Sequence, residues 1–430
     1  MTAALSLEQA PPLSVPLRFF LTAPVFGMAA GGVLAWAGPA AFASRWTPPA
    51  LALAHLLGLG VLTMVMCGAL FQLLPVLVGV RVVRARLIGA ACHTLLVAGT
   101  AALAAGFLGA DTVAFRLAVP LLGAALGLLL TVVGAGLARA PRRHDSVRGM
   151  RWALSGLAVA TALGLILALG HGWSTLPLPR AALTDLHLAW ARLGWVTLLV
   201  AVVAWQVVPM FQVTAEYPPW LRRTLAPAAW FLLLWLTAAS LAGQATWPPA
   251  AGLSLACVAF AVQTLVLLAR RRRRRVDASL AFWTLAKCGL AAAALAGLVG
   301  LLVPLPPRLA LAPAVLFIAG FALAVVNGML LKIVPFLVWL HLQQQLAATP
   351  AAPGRFVPPD MHAVLPEPRA RLQLASYALA LAVLVAGLAV PALLRLAGIC
   401  WIGAFAVLGW NLLRAARLYR TEQRRLATAA

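Results

Sequence analysis

The stretch LGVLTMVMCGALFQLLPVL, residues 59–77, carries no charge and one long polar side chain, Gln72. It lies in an apolar run that begins near residue 50, longer than the roughly 20 residues a helix needs to cross a bilayer. The pattern returns at LGWVTLLVAVVAWQVVPMF, residues 193–211, and at AGFALAVVNGMLLKIVPFL, residues 319–337. When Pro75, Pro209 and Pro335 are aligned, a glycine falls 15 residues earlier each time, at Gly60, Gly194 and Gly320. A long polar residue falls three earlier each time, at Gln72, Gln206 and Lys332, and Gly68 matches Gly328 at seven. The prolines are 134 and 126 residues apart.

Apolar runs of this length recur along the whole chain. Of 430 residues, 63% are apolar and 10% charged, and mean hydropathy is +0.98. An ordinary soluble domain has about 45–50% apolar and about 25% charged residues. The composition excludes a water-soluble domain and a disordered chain. Twelve spans are expected, near 17–38, 50–78, 87–109, 113–137, 151–171, 183–212, 224–243, 248–269, 278–303, 308–341, 370–393 and 396–414. Spans 2, 6 and 10 exceed the bilayer, so they should tilt or project. The aligned prolines lie four spans apart. The expected fold is therefore an all-α polytopic membrane protein, with 12 transmembrane helices as three pseudo-equivalent four-helix repeats, near 17–137, 151–269 and 278–414.

Charge fixes an orientation. Of 33 Lys and Arg, 25 fall in the termini and the even-to-odd loops, among them Arg81, Arg84, Arg86, Arg139, Arg142, Arg143, the run 270–275 and the tail 414–425. The opposite loops hold five: Arg45, Arg116, Arg180, Arg308 and Arg395. Basic residues stay cytoplasmic, so both termini should face the cytoplasm. The net charge of +24 is then a matter of topology and anionic lipid, and no nucleic-acid partner is expected. The cysteines Cys67, Cys92, Cys257, Cys288 and Cys400 are scattered, which fits neither a disulfide framework nor a thiolate metal site. The first 16 residues lack a basic leader segment, so no cleaved signal is expected. The preference for Arg over Lys suggests a GC-rich bacterial genome, and hence a bacterial inner membrane.

Glycines in lipid let helices approach closely, and each aligned proline should end or kink its helix at the cytoplasmic end. Gln72, Gln206 and Lys332 are either interfacial residues that snorkel to water or a ring lining a path.

A histidine or charge inside the bilayer is costly and marks a candidate site. His144 and His362 fall in cytoplasmic loops, His171 at a membrane edge, and His341 at a solvated interface. His55 and His187 lie 20 and 22 residues before their prolines, at matched depth on equivalent helices. Their positions differ by about 200° around the helix axis. A site between two neighbouring helices needs such opposed faces. Neutral imidazoles are axial haem ligands. Helices 2 and 6 could thus clamp a haem b, or each histidine could simply bond a neighbouring helix. Arg192 suits a haem propionate, with Asp185 the simpler partner. His93 sits at a different depth, within reach of Gln72. Asn327 and Lys287 are candidate cavity-lining residues, and no acidic residue falls inside a span to pair with Lys287. No phosphate-binding loop, HExxH or GxSxG motif is present.

The plan of twelve helices in three groups of four resembles the haem–copper oxidase subunit I superfamily. HLAWARLGW followed by VVPMF, residues 187–195 and 207–211, resembles the histidine-bearing helix of cbb-type oxidases and nitric-oxide reductases. AHLLGLGVLTMVMCGALFQLLP, residues 54–75, resembles the low-spin-haem helix of that superfamily and the histidine segment of the NnrS group, membrane haem proteins linked to the nitric-oxide response. Residues 320–337 resemble a third segment of that group. The resemblance implies a respiratory or nitric-oxide-related haem protein with an electron-donor partner. The departures imply that it is no dioxygen reductase. Span 10 has Val315 where span 2 has His55, span 7 has no histidine pair for copper, and no tyrosine is placed to cross-link to one. An intact haem–copper active site is absent, so any enzymatic activity would be of the haem oxidoreductase type. Two other functions fit the residues. One is a non-haem permease or channel for a small anionic or neutral solute, lined by Lys287, Asn327, Gln72, Gln206 and Lys332. The other is an accessory subunit of a respiratory complex.

Overall fold

A computed structural model describes residues 11–78, 82–140, 145–174, 176–273, 275–349 and 356–429. Arg81, Arg142, Arg143, His144 and Arg274 of the charge reading lie outside them. Twelve helices are long and apolar enough to cross a membrane. Spans 1 to 4 are Ser14–Phe42, Pro48–Pro75, Ala85–Gly109 and Thr112–Arg139. Spans 5 to 8 are Asp145–Gly172, Arg180–Gln212, Pro219–Leu241 and Trp247–Ala269. Spans 9 to 12 are Ala278–Leu302, Leu309–Ala347, Glu367–Ala389 and Leu393–Thr428. The protein is an all-α, multi-pass membrane protein in contact with a lipid bilayer.

Local chemistry sets several helix starts. Thr47 caps span 2 by accepting from the Ala50 N–H, and Pro48 and Pro49 follow in the first turn, where a missing N–H costs nothing. Asp111 caps span 4 through the Val113 N–H at 2.8 Å, and Asp277 caps span 9 through Leu280 at 2.9 Å. The aligned prolines do not end their helices at once. Pro209 lies within the last turn of its helix, Pro75 lies inside a helix described as far as Val78, and the helix of Pro335 runs on to Ala347. That continuation packs against the end of span 12. Gln345 donates to the Tyr419 hydroxyl, and Gln423 donates to both.

Spans 2, 6 and 10 share a further irregularity. Each contains a π-helical stretch, Gly58–Thr63, Trp190–Thr197 and Leu316–Ala322, and each stretch contains the aligned glycine. A π turn holds an extra residue and shifts the carbonyl register, and such turns concentrate at functional positions. The Thr63 hydroxyl accordingly reaches five residues back to the Gly58 carbonyl, and Thr197 reaches Arg192, both at 2.8 Å.

Packing follows from the small residues. A Cβ on Gly156 of span 5 would meet the Gly194 carbonyl oxygen at 2.2 Å, and one on Gly289 of span 9 would meet the Gly320 carbonyl at 2.4 Å. Backbones touch there, as small residues permit in lipid. Gly60 and Gly68 of span 2 accept Phe26 and Phe19 of span 1 in the same way. Span 12 packs on span 1, span 4 on span 5, and span 8 on span 9. Outward side chains such as Phe231, Leu255 and Leu302 are apolar and exposed, as a lipid-facing surface requires.

The two ends of the bundle differ. The arginine-poor end gathers Arg45, which pairs with Asp185, and Arg116, which donates to the Gly172 carbonyl. The arginine-rich end gathers Asp145 with Arg148 and Arg222, and Asp277 with Lys332.

Candidate functional site

The structure brings His55 and His187 together. Their ring centroids are 6.3 Å apart and their planes lie within 14° of parallel. His55 Nδ1 meets the Leu51 carbonyl at 2.7 Å, and His187 Nδ1 meets the Ala160 carbonyl of span 5 at 2.9 Å. A nitrogen facing a carbonyl must carry the proton, which leaves Nε2 of each ring as a lone-pair donor. This is the usual outer-shell arrangement of a metal-binding histidine. Gly164 makes room for it, since a Cβ there would lie 2.8 Å from His187 Cε1. Phe107 of span 3 stacks on His55 at 5.1 Å.

Among the described residues, no group of three or more His, Cys, Asp or Glu could hold a metal ion. Two imidazoles alone suit an iron that brings four ligands of its own, as haem does. The donor chemistry of the residues present, two imidazoles each with Nδ1 on a carbonyl and Nε2 left free to donate a lone pair, would suit holding a haem iron.

Arg192 is not brought into this pair. Its Nε donates to the Leu188 carbonyl, and its Cζ lies 5.7 Å from the Phe317 ring of span 10. Asp185 instead forms an ion pair with Arg45. His93 is bonded to the Thr22 hydroxyl at 2.9 Å rather than to Gln72. Gln72 is buried, and its Oε1 has no partner. Gln206 is partly exposed, so the three aligned polar residues occupy different surroundings.

Lys332 is held, not snorkelling: its Nζ donates to Asp277 at 2.8 Å. Burial pushes the Asp277 carboxyl up. The Lys332 hydrogen bond, the Leu280 N–H and the Lys332 and Arg273 charges outweigh that and hold it below the usual carboxylate value. Lys287 is fully buried and has no hydrogen-bond partner among the described residues. Three rings take the place of a carboxylate: its Nζ is 4.0 Å from the Phe260 centroid and 4.9 Å from those of Trp283 and Phe321. Cation–π contacts of this kind are worth about 2 kcal/mol or more each when desolvated. Asn327 joins an amide chain. Asn411 donates to Gln373 at 2.9 Å, Gln373 to Asn327 at 3.1 Å, and Asn327 to the Leu323 carbonyl.

Two histidines differ from expectation. His341 is buried, bonded to the Leu337 and Pro11 carbonyls. His171 joins the paired histidines through Phe107, with ring centroids 5.5 Å apart, and it also stacks on Phe115. Its place at the end of span 5 gave no hint of this in the sequence. The signal that could have found it is the placement of Arg116 and Arg180 near the same membrane edge. No protein-family model matches the chain, and no curated protein is significantly similar to it.

Proposed function

We propose that this multi-pass membrane protein binds one haem b between spans 2 and 6 and serves electron transfer, in a respiratory or nitric-oxide-related role. The observation that carries the reading is the facing pair His55 and His187, each with Nδ1 committed to a backbone carbonyl. A bound haem would supply one-electron redox chemistry. The protein's own contributions are positional. The carbonyls of Leu51 and Ala160 set the tautomers, Gly164 admits the His187 ring, and Phe107 shields one side of His55. Held by two protein histidines, a haem here would suit electron transfer more than binding of a substrate to iron.

Three four-helix units around a pseudo-threefold axis are part of this reading. Their support is the recurrence of one π stretch per unit, of the glycine contacts between spans 1 and 2, 5 and 6, and 9 and 10, and of the packing of spans 12, 4 and 8 on the next unit. In that plan His55 and His187 belong to two units, and the third contributes Val315 and no ligand. The positive-inside pattern places the haem toward the external side of a bacterial inner membrane.

A reduced-minus-oxidised visible spectrum of protein made with ample haem tests the proposal. The expected result is a shifted Soret band with split α and β bands. A featureless spectrum contradicts it.

A further inference from the structure

We propose that the arginine-poor end carries the docking surface of a soluble, acidic one-electron carrier, and that Phe107 and His171 form its bridge to the paired histidines. This rests on the haem reading above and names the partner of that site. The first observation is charge. Only five arginines occupy the loops on this side, and three of them, Arg45, Arg116 and Arg180, converge on residues 171–185. Arginine on the translocated side works against topology, so its concentration at one point calls for a separate reason. Asp185 answers Arg45, but Arg116 donates to the Gly172 carbonyl at 2.9 Å and Arg180 to His171 at 2.8 Å. Neither has a carboxylate partner among the described residues. Both are exposed, beside Trp173 at 45% and Leu178 at 40% exposure. Arg116 lies over the Trp173 ring at 5.5 Å. An aromatic and an aliphatic side chain rimmed by guanidinium groups suit a partner with a carboxylate-fringed apolar contact.

The second observation is continuity. From this patch, rings follow one another inward: His171 to Phe107 at 5.5 Å and Phe107 to His55 at 5.1 Å, with His187 6.3 Å beyond His55. Phe115 packs against His171 at 4.7 Å and Phe107 at 5.0 Å and holds both in place. The step moves one electron and makes or breaks no bond. A haem iron held by His55 and His187 would take that electron from the carrier. Phe107 and His171 are positioning residues in it.

The test uses the haem-loaded protein in phosphatidylcholine nanodiscs. Stopped-flow absorbance follows haem reduction by an acidic plant-type ferredoxin and, separately, by cationic hexaammineruthenium(II). The ferredoxin rate should fall at least tenfold between low and high salt. It should fall as far in the Arg116→Gln/Arg180→Gln double variant, and further in the double glutamate variant, with the haem spectrum intact. The ruthenium rate should hold or rise in those variants. Phe107→Leu should slow both donors severalfold with the spectrum unchanged. Equal ferredoxin rates in wild type and the arginine variants overturn the docking surface. That outcome, with a ferredoxin rate that instead tracks added anionic lipid, assigns the arginines to lipid headgroups. Unchanged rates in Phe107→Leu overturn the bridge. Absence of any haem spectrum overturns the reading beneath both, and is seen before a rate is measured.

Discussion

Lys332, inside span 10, donates to the carboxylate of Asp277, the residue that caps span 9, across 2.8 Å. Both side chains are largely withdrawn from water, at 14% and 5% exposure. The pair ties the start of one helix to the middle of its neighbour. Because the folded protein holds the Asp277 carboxyl below its ordinary value, its stabilising effect is fully present above the unfolded value of about 3.9. That effect is lost as pH falls through the lower, folded value. Asp277→Asn should lower the Tm near pH 7, at a cost of about 3 kcal/mol for breaking a buried pair. The Tm difference from wild type should shrink below pH 4. A difference independent of pH would show that the carboxylate charge is not what holds the two helices.

The backbone contacts at Gly156 and Gly289 leave no room for a methyl group. Gly156→Ala and Gly289→Ala should each cost about 1–3 kcal/mol, as overpacking does. Gly403 has nothing within 4 Å of its Cβ position, so Gly403→Ala should not lower stability. Thermal denaturation in detergent compares the three. Equal behaviour would contradict the close approach of spans 5 and 6 and of spans 9 and 10.

Lys287 is faced by rings, and among the described residues its Nζ has no hydrogen-bond partner. Removing a buried ammonium that has no ion-pair partner strands no opposite charge and relieves the cost of keeping it from water. Lys287→Met should therefore hold or raise the Tm. Phe260→Ala should lower the Tm, at a cost in stability of about 3–5 kcal/mol, as usual for a phenylalanine-sized cavity. A large loss in Lys287→Met would mean that the amine makes an interaction beyond the aromatic cage.

Gln373 is the middle link between Asn411 and Asn327 and is wholly buried. Gln373→Leu strands a donor on Asn411 and an acceptor on Asn327, each at about 1–3 kcal/mol. The Tm of Gln373→Leu should fall well below that of Asn411→Leu, which strands one group.

The number and extent of the spans were legible because bilayer thickness imposes long apolar runs, and those runs are uninterrupted here. The pairing of His55 with His187 was legible from depth and opposed helix faces, since both follow from helical rise and turn. Neighbour-dependent features were not. Arg192 lies five residues from His187, and spacing alone did not show that it would lean on Phe317. The cage around Lys287 draws Phe260, Trp283 and Phe321 from three spans, and aromatic residues in apolar runs look alike until the helices are packed. His171 was hidden for the same reason: its contacts, Phe107 and Phe115, sit on other helices, and a position at a helix end reads as solvent.

The central claim is tested most directly by measuring haem per polypeptide in the purified protein and in His55→Ala, His187→Ala and His171→Ala. The account predicts close to one haem b per chain in the wild type, its loss in each of the first two variants, and its retention in the third. Retention of haem in both His55→Ala and His187→Ala, or a wild type that takes up none from haem-replete cells, would contradict it.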